Sequence, residues 1–335
     1  RAERSCLTGN ELTERRRFMN APLIVFAYRR LEHLKRCLDS LETACRENGE
    51  KTKLYLFADG CKSDADREEV SAVHEFAANY TCNCYSEVIP VLSPKNKGLA
   101  ASVIEGVSDV IGQYGCVIVV EDDLMVSPGF MRFMNQALDW FEADQRVWSV
   151  GGWVPELSSI SGLNADLFLS YRAECWGWAT WKDRWDRVDW GVGDYRHFRY
   201  SVKERRKFSR GGSDMPLMLD AQMEGAIHSW AIRWAFSGNR NDMLTVCPKY
   251  SLVKNEGFDG SGTNCHERDA DAEPDRRFVP DLTKGIELNR RVIKDYYRFA
   301  SGGFMKRNYR KCKSLIHRIL HDRKAMRYAR KKRQE

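Results

Sequence analysis

The sequence contains no apolar run that could cross a membrane. A membrane-spanning helix needs roughly 20 consecutive apolar residues, and the 335-residue chain has no such run. Residues 1–20 read as a polar and charged N-terminal arm without the apolar core of a secretory signal. We therefore expect a cytoplasmic protein, attached at most peripherally to the inner face of a membrane, with the lumen of the secretory pathway as the alternative.

Two common phosphate-binding motifs are missing as well. No Gly-x-Gly-x-x-Gly run follows the first apolar segment, and Gly-x-x-x-x-Gly-Lys followed by Ser or Thr occurs nowhere in the chain. Both motifs bind phosphates through glycine backbone at the start of a helix. Their absence counts against a dinucleotide-dependent dehydrogenase and against a P-loop nucleotide hydrolase.

The 11 cysteines form no recognisable framework. Their number is odd, no two are spaced as Cys-x-x-Cys, and Cys61, Cys82 and Cys84 do not have zinc-finger spacing. Free thiols in a reducing compartment are the favoured interpretation. One or two disulfides are the alternative for a protein of the secretory pathway.

What the sequence does have is an alternation of strand and helix patterns over residues 21–150. Short apolar runs are followed by longer segments with apolar residues at helical spacing. Such alternation predicts an α/β fold with a Rossmann-like, mostly parallel central sheet and flanking helices. The predicted strands are Leu23–Tyr28, Lys53–Ala58, Glu87–Leu92, Gly115–Val120 and Val147–Val150, and the predicted helices are Leu31–Asn48, Ala65–Asn79, Gly98–Gln113 and Pro128–Ala143.

Three consecutive acids follow the fourth predicted strand. The apolar run Val117–Val120 leads directly into Glu121, Asp122 and Asp123, and ligands of open α/β sheets bind beyond such strand ends. Adjacent carboxylates repel one another, and a hard divalent cation would relieve that repulsion and hold substrate phosphates. A solvated acidic turn is the alternative interpretation. Ser127–Pro128 is expected to begin the next helix, with the serine as its N-cap.

The loops after the other predicted strands add polar groups at the same edge of the sheet. Parallel strands end at one edge, so these side chains can meet at one ligand. The cations can bind phosphates, the aspartate can pair with a base or a ribose, and the glycines allow close backbone approach. The residues are Tyr28, Arg29 and Arg30 after strand one, Asp59 and Gly60 after strand two, and Asn96, Lys97 and Gly98 after strand three.

The second half of the chain, residues 151–289, is rich in tryptophan. Core packing is the expected role of most of its tryptophans, although aromatic rings also bind the faces of sugars. The glycine-containing segment Val253–Thr263 could close over a ligand. Nine of the ten tryptophans lie close together in sequence: Trp148, Trp153, Trp176, Trp178, Trp181, Trp185, Trp190, Trp230 and Trp234.

Several of these runs together resemble a known enzyme family. They resemble GT-A nucleotide-sugar glycosyltransferases of the family 2 type, and more closely N-acetylglucosaminyltransferase I, an inverting enzyme with the same Glu-Asp-Asp-Leu motif in a similar strand. The likeness covers about residues 22–180 and is weaker beyond them. The matching runs are Pro22–Leu41, Phe57–Gly60, Asn96–Gly98, Val119–Leu124, Asp144–Trp153 and Tyr171–Trp178, while Ser229–Trp234 and Gly257–Thr263 resemble bacterial sugar transferases.

The resemblance implies a GT-A fold and a role for each matching residue. Asp123 would bind the Mn²⁺ (or Mg²⁺) ion that bridges the donor diphosphate. Glu121 and Asp122 would contact the ribose, the donor sugar or metal-bound water, and Asp59 would hold a uracil-type base together with Arg29 or Arg30. The implied donor-binding set is Tyr28, Arg29, Arg30, Asp59, Lys97, Gly98, Glu121, Asp122 and Trp178.

The catalytic base is not carried over by the resemblance. The resembled enzyme has an Asp immediately before a Trp, where this sequence has Ser229 before Trp230, and a serine hydroxyl is not a base at neutral pH. His228 is the nearest group with a suitable pKa. Glu224 and Asp220, upstream by about one and two helical turns if the segment is helical, are the other candidates. A structural role is the alternative for each of the three.

Together these observations predict a metal-dependent glycosyltransferase. It would move a hexose or N-acetylhexosamine from a nucleoside diphosphate sugar, UDP-linked, to a hydroxyl of a glycan or lipid-linked acceptor, with inversion implied by the resemblance alone. One alternative is a sugar-nucleotide nucleotidyltransferase, although no glycine-rich loop follows strand one. The other is a non-enzymatic protein with a basic tail that binds nucleic acid or a membrane.

The charge is divided between an acidic body and a basic tail. Residues 290–335 carry 17 Lys and Arg against 3 Asp and Glu, or +14, which leaves −7 for residues 1–289 out of a total of +7. Within the tail, residues 304–333 group apolar side chains among basic ones, as helices on anionic membranes do. A solvated tail or a helix packed on the domain is the alternative. Nucleic acid is an unlikely partner because the acidic body would repel its phosphates.

Overall fold

The computed structural model describes residues 20–49, 51–259, 274 and 278–302, and the structural statements below concern these residues. Within them, a sheet of nine strands carries helices on both faces. Most neighbouring strands are parallel. The predicted α/β class with a mostly parallel central sheet is therefore confirmed.

The first half alternates strands and helices close to the predicted positions. Strand and helix ends differ from the prediction by three residues at most, as expected for boundaries read from local patterns. The elements are β1 (Leu23–Ala27), α1 (Leu31–Asn48), β2 (Thr52–Ala58), α2 (Arg67–Asn79), β3 (Tyr85–Leu92), α3 (Leu99–Tyr114), β4 (Cys116–Glu121), β5 (Leu124–Val126), α4 (Phe130–Trp140) and β6 (Val147–Gly151).

The second half adds short strands and helices to the same sheet. Its elements are β7 (Leu167–Ser170), β8 (Trp178–Trp181), α5 (Lys182–Trp185), α6 (Tyr195–Tyr200), α7 (Val202–Phe208), α8 (Met215–Met223), α9 (Trp230–Arg240), β9 (Leu244–Pro248), β10 (Val253–Asn255), β11 (Ile286–Glu287) and α10 (Arg290–Ser301). Short 3₁₀ helices at Asp64–Asp66, Ser158–Gly162, Ser209–Gly211 and Leu282–Lys284 lie between them.

The strand order brings both halves into one sheet. The order is β11-β7-β9-β6-β8-β4-β1-β2-β3, with β1 between the parallel strands β2 and β4. Strand β8 is antiparallel to its two neighbours, β4 and β6, and so joins the halves. β4 and β6 therefore point the same way, and their carboxyl ends lie at the same edge of the sheet.

Each face of the sheet is covered by an amphipathic helical layer. On one face α1 buries Leu34, Leu38 and Leu41, the apolar positions at helical spacing. On the other face α3 and α9 pack around a cluster of indole rings. The expected core role of most tryptophans is confirmed, since Trp148, Trp153, Trp178, Trp181, Trp185, Trp230 and Trp234 are buried.

The helix expected to start at Pro128 begins two residues later, at Phe130. Leu124–Val126 forms the unpredicted strand β5, which pairs with β10. The Ser127 carbonyl accepts the Phe130 N–H at 3.0 Å, while the Ser127 hydroxyl is buried without a hydrogen bond. Ser127 is therefore not an N-cap, because a long-range strand pairing fixes the chain up to this point.

Residues 220–234 are not one helix either. Helix α8 ends at Met223, and Gly225 has the left-handed φ of +73° that lets the chain turn. Helix α9 starts at Trp230, where the Ser229 hydroxyl accepts the Ile232 N–H at 3.3 Å as an N-cap. Asp220 and Glu224 therefore do not lie on one continuous helix with His228, and the condition for their one- and two-turn spacing is not met.

Among the described residues, no helix has both the length and the apolar character that crossing a membrane requires. Helix α10 packs against the body through buried Val292 and Tyr296. The predicted membrane-binding segment 304–333 lies outside the described residues, as do residues 260–263 of the predicted closing segment.

Candidate active site

The functional residues predicted after β1, β2 and β4 meet at one edge of the sheet. Parallel registers pair Phe26 with Glu121 and Ala27 with Ala58, so the three strands end level with one another. Asp59 continues this alignment, since its N–H donates to the Ala27 carbonyl at 3.0 Å. The short apolar strands thus determine where the polar side chains lie.

Arg30 joins two of the three consecutive acids. Its Nη2 atom forms an ion pair with Asp122 Oδ1 and lies 3.0 Å from Asp123 Oδ2. The Tyr28 N–H also donates to Asp122, at 3.4 Å. One guanidinium among the carboxylates of Glu121, Asp122 and Asp123 leaves a net charge of −2 when all three are ionised.

Burial makes this charge costly. Burial, together with the smaller effects of the neighbouring Asp123 and Asp122 carboxylates, raises the pKa of Glu121 to about 8. Burial also raises the pKa of Asp122 to about 6, against the opposing effect of Arg30. Arg30 therefore does not neutralise the cluster, and additional positive charge would be stabilised there.

The cluster fits a hard divalent cation shared with a ligand. Its donors are carboxylate oxygens, which Mg²⁺ and Mn²⁺ prefer. Within the part of the chain that the structure describes, the three carboxylates do not gather within 4.8 Å of one another as a complete protein cage would. One or two carboxylates plus substrate phosphates is the usual arrangement for Mg²⁺, and Asp123 is the carboxylate we expect to hold the ion.

The segment after β10 lies directly over Asp123. The Glu256 N–H donates to the Asp123 carbonyl at 2.8 Å, and the Gly257 N–H donates to Asn255 Oδ1 at 2.7 Å. A Cβ atom at Gly257 would lie only 2.4 Å from Asp123 Oδ2. The segment that was predicted to close over a ligand therefore already contacts Asp123. Its described part ends at Asp259.

Helix α1 holds this segment in place. His33 Nε2 lies 3.1 Å from Asp259 Oδ2, and Arg36 pairs with Glu256 at 3.2 Å. Sequence reasoning did not identify His33, Arg36 or Asn255. The only signal was that charged residues interrupt the apolar spacing of α1, which does not reveal a partner more than 200 residues away.

Asp59 organises the loop between β3 and α3. Its carboxylate accepts hydrogen bonds from the N–H groups of Gly60, Lys97 and Gly98, each at 2.9 Å, and from Asn96 Nδ2 at 3.1 Å. A carboxylate has about four acceptor positions. These donors fill them, so Asp59 shapes the wall of the site through the loop.

Two of the cations predicted to bind phosphates, Arg29 and Lys97, already form ion pairs. Lys97 Nζ lies 2.7 Å from Glu105, and Arg29 lies 3.4 Å from Asp66. The Tyr28 hydroxyl donates to the same Asp66 at 2.8 Å. The two ion pairs are well exposed, so either cation could exchange its partner for a phosphate at little cost.

Trp178 does not lie in the site. It is 0% exposed, and its ring packs 5.2 Å from that of Trp230 and 5.4 Å from that of Trp234. The expectation that Trp178 contacts the donor disagrees with this burial, because its indole is part of the core. Its strand pairing with Val119 of β4 nevertheless places the start of α9 near the same sheet edge.

The three candidate bases differ in their surroundings. Asp220 is buried in a two-point ion pair with Arg205, at 2.8 and 2.7 Å. Glu224 pairs with Arg199 at 2.9 Å. His228 is exposed just before α9. Two of the candidates thus neutralise buried arginines, and His228 alone of the three is exposed to solvent.

A further buried carboxyl group lies next to β6. Glu174 accepts a hydrogen bond from the Tyr296 hydroxyl, lies 4.0 Å from Arg172 Nε, and would touch a Cβ added to Gly151. Burial raises the pKa of Glu174 to about 7, although Arg172 opposes the shift. In the sequence, Glu174 lies within the run Tyr171–Trp178 that resembles the transferase family, and nothing there indicates its partner Tyr296.

Three aromatic rings lie beside the segment that covers Asp123. Trp176 is half-buried, and its ring centre lies 4.7 Å from that of Trp153 and 5.7 Å from that of Phe258. Phe258 belongs to the same turn as Gly257. An aromatic surface next to the acid cluster can pack against the apolar face of a sugar ring.

Comparisons with known proteins give one family match. The GNT-I family model matches residues 9–195 of the chain. No curated protein matches it. Among solved structures, the chain is similar to a crystal structure of S. aureus TarS 1–349, with 11% sequence identity, a TM-score of 0.39, and coverage of 71% of this chain and 61% of that chain. The chain therefore spans less than two thirds of that structure.

Proposed function

We propose that this chain, which belongs to the GNT-I family, is a glycosyltransferase that uses a nucleoside diphosphate sugar, UDP-linked, as its donor. The transferred group would be a hexose or an N-acetylhexosamine, and the acceptor a hydroxyl of a glycan or a lipid-linked sugar. Family membership agrees with the resemblance read from the sequence. The donor, the metal and the acceptor are our proposals.

The observation that carries the proposal is the acid cluster with its single arginine at the carboxyl edge. Asp123, with phosphate oxygens of the donor, would hold Mn²⁺ or Mg²⁺. When bound, this ion would stabilise the charge that develops on the leaving diphosphate. Arg30 fixes the carboxylates of Asp122 and Asp123 relative to each other. Glu121 and Asp122 are then placed to contact the ribose or the donor sugar.

The loop held by Asp59 would form the other wall of the donor site. Asp59 aligns the backbone of Asn96–Gly98 at the start of α3, where N–H groups and the helix dipole favour negative charge. Arg29 and Lys97 lie in the loops after β1 and β3 as exchangeable cations. We assign Asp59 to shaping this wall, and the contact with the base to the backbone and side chains around it.

The acceptor side is assigned to the residues before α9 and to the aromatic wall. Because Asp220 and Glu224 pair with arginines, we propose His228 as the general base that accepts the proton of the acceptor hydroxyl. Attack of the acceptor hydroxyl on the face of the donor sugar opposite the leaving diphosphate would invert the anomeric centre. The half-buried Trp176 would contact the acceptor sugar, with the buried rings of Phe258 and Trp153 packed against it.

The test is a screen of UDP-sugars with and without Mn²⁺, with release of UDP as the readout. We expect metal-dependent release that Asp123→Asn lowers by about two orders of magnitude, the usual effect of losing one charge-stabilising group. Asp39→Asn, on the exposed side of α1, is the matched control and should be unaffected. Release of pyrophosphate instead would identify a nucleotidyltransferase, and no turnover of any donor would contradict the proposal.

We also propose that residues 304–333 bring the enzyme to an anionic membrane surface that carries its acceptor, at the inner face of a cytoplasmic membrane. The support is the basic amphipathic pattern of the sequence.

A further inference from the structure

A cluster of thiols lies at the edge of the sheet opposite the acids. Glu42 and Cys45 belong to the last turns of α1, and Cys82 and Cys84 to the connection between α2 and β3. Strand β3 starts at the next residue and runs parallel to β2 and β1. These four residues, called the thiol cluster below, are therefore at the amino edge of the sheet, whereas the candidate active site is at the carboxyl edge.

The ligand atoms of the thiol cluster are close together. Cys82 Sγ and Cys84 Sγ are 2.9 Å apart, and both lie within 4.8 Å of a carboxylate oxygen of Glu42. Within the described part of the chain, no other group of three or more His, Cys, Asp or Glu side chains converges in this way. The buried Cys45 thiol lies next to that of Cys84, outside this converging group of three, and is the nearest candidate for a fourth ligand.

Neighbouring groups orient these ligands. The Tyr80 hydroxyl donates to Glu42 Oε1 at 2.7 Å. Arg46 Nη2 donates to Glu42 Oε2 at 3.3 Å and lies 3.8 Å from Cys82 Sγ. The Cys84 N–H points to the same Cys82 sulfur at 3.4 Å. Such donors fix ligand geometry around metal ions and stabilise a thiolate.

The thiol cluster contains a missing hydrogen bond and a short contact between two sulfur atoms. The Tyr85 hydroxyl is buried beside Cys45 without a well-formed hydrogen bond. Two neutral sulfur atoms at 2.9 Å are closer than non-bonded sulfurs normally approach, so the arrangement favours a change that relieves this contact.

We propose that the thiol cluster binds one soft divalent cation of the zinc class. Each thiol that ligates the ion releases one proton to solvent. The ion offsets two of the four negative charges of the three thiolates and the Glu42 carboxylate, and the adjacent Arg46 guanidinium offsets a third. With Zn–S bonds of about 2.3 Å in a tetrahedral site, two sulfurs lie about 3.8 Å apart, so the pair would open by about 0.9 Å. The site would be structural, because four protein ligands leave no open position.

A disulfide between Cys82 and Cys84 requires a change of similar size, since bonded sulfurs are about 2.05 Å apart. The distance alone does not decide between the two. A disulfide, however, uses two of the four groups and leaves the third thiol and the oriented Glu42 carboxylate without a function. A cation uses all four and would join the end of α1 to the α2–β3 connection.

The experiment is a Co²⁺ titration of full-length, fully reduced, metal-free protein, with thiolate-to-cobalt charge-transfer absorption as the readout. We expect saturation at one Co²⁺ per chain and displacement by Zn²⁺. Cys82→Ser should abolish the band, whereas Cys61→Ser, an exposed cysteine that follows β2, should keep it. The carboxylates around Asp123 do not produce this band, and the one thiol beside them, Cys37, donates to the Glu121 carbonyl at 3.5 Å.

A second measurement does not depend on how well the variants fold. In the wild-type protein, Zn²⁺ should protect Cys82 and Cys84, but not Cys61, from alkylation as mapped by peptide mass. Absence of the band in fully reduced wild-type protein, or a band that persists in Cys82→Ser, would overturn the proposal. So would isolation of the protein with Cys82 joined to Cys84 and no thiol-bound metal.

Discussion

Gly257 leaves just enough room for the carboxylate of Asp123. A Cβ atom at position 257 would lie 2.4 Å from Asp123 Oδ2 and 3.1 Å from Asn255 Oδ1. The glycine belongs to a turn after β10, and β10 pairs with β5 directly after the acids. The position of the proposed metal ligand thus depends on a strand pairing across more than 120 residues.

Gly257→Ala is expected to lower both activity and stability. The added methyl must displace the Asp123 carboxylate or the turn, and overpacking of this kind costs about 1–3 kcal/mol of folding free energy. We expect a loss of tenfold or more in kcat/KM at limiting Mn²⁺, measured as UDP release. Gly112→Ala, on the exposed side of α3 with no atom near the new Cβ, is the control. Equal activity of both variants would show that Asp123 need not keep its position.

Arg30→Ala is expected to destabilise the metal-free protein and to make its stability depend on Mn²⁺. Removing the positive partner of a buried ion pair typically costs about 3–5 kcal/mol. A bound dication would replace the lost charge, so the Tm of the variant should rise more with Mn²⁺ than that of the wild type. Arg29→Ala, which removes an exposed ion pair, should change stability by about 1 kcal/mol or less. Identical metal responses of all three proteins would exclude a cation at this cluster.

The candidate bases should separate into one catalytic and two structural residues. His228→Ala is expected to lower kcat by 10²–10⁴-fold, the usual contribution of a general base, with little change in donor KM. Asp220→Asn breaks the two-point pair with Arg205 and should instead lower Tm. Steady-state kinetics and thermal unfolding distinguish these effects. A His228→Ala enzyme with normal kcat and an unchanged pH profile would place the base elsewhere.

Glu174 should make the protein less stable as the pH rises. Its pKa is about 7 in the folded protein against an ordinary value of 4.5, so the folded state holds the proton more tightly. This contribution to stability is fully present below about pH 4.5 and is lost as the pH rises through about 7. At about 1.4 kcal/mol for each pKa unit it amounts to roughly 3 kcal/mol. Urea unfolding between pH 5 and pH 8 measures it together with contributions of the same sign from Glu121 and Asp122. Glu174→Gln should therefore make the profile less steep, whereas a wild-type profile in that variant would contradict the assignment.

The sheet, the shared edge and the acid cluster could be predicted because they depend on local patterns. Apolar runs such as Val117–Val120 define strands, and parallel strands necessarily end together. The partners of the acids could not be predicted in the same way. Nothing near Asp220 in sequence indicates Arg205, and nothing near Asp123 indicates Gly257, since both contacts depend on how distant segments pack.

The outcome for Trp178 shows the same limit within a recognised motif. Its position in a run that resembles a sugar transferase indicated a donor contact, but its side chain points into a cluster of indoles. A strand places successive side chains on opposite faces. The indole of Trp178 lies on the face of the sheet that α3 and α9 cover, and neither helix is near Trp178 in sequence.

The membrane proposal should be tested with a chain that ends after Gly302. A cut at the predicted tail boundary, after Asn289, would remove α10, whose Tyr296 hydroxyl donates to buried Glu174 and whose Asp295 accepts from Ser158 and Ser159. Such a truncation would expose buried surface and confuse misfolding with loss of membrane binding. Each Lys or Arg near an anionic bilayer contributes about 1 kcal/mol, so the full chain should co-sediment with phosphatidylserine vesicles at low salt and be released at high salt. The chain ending after Gly302 should stay in solution and keep its donor hydrolysis, and equal sedimentation of both chains would remove the tail as the membrane anchor.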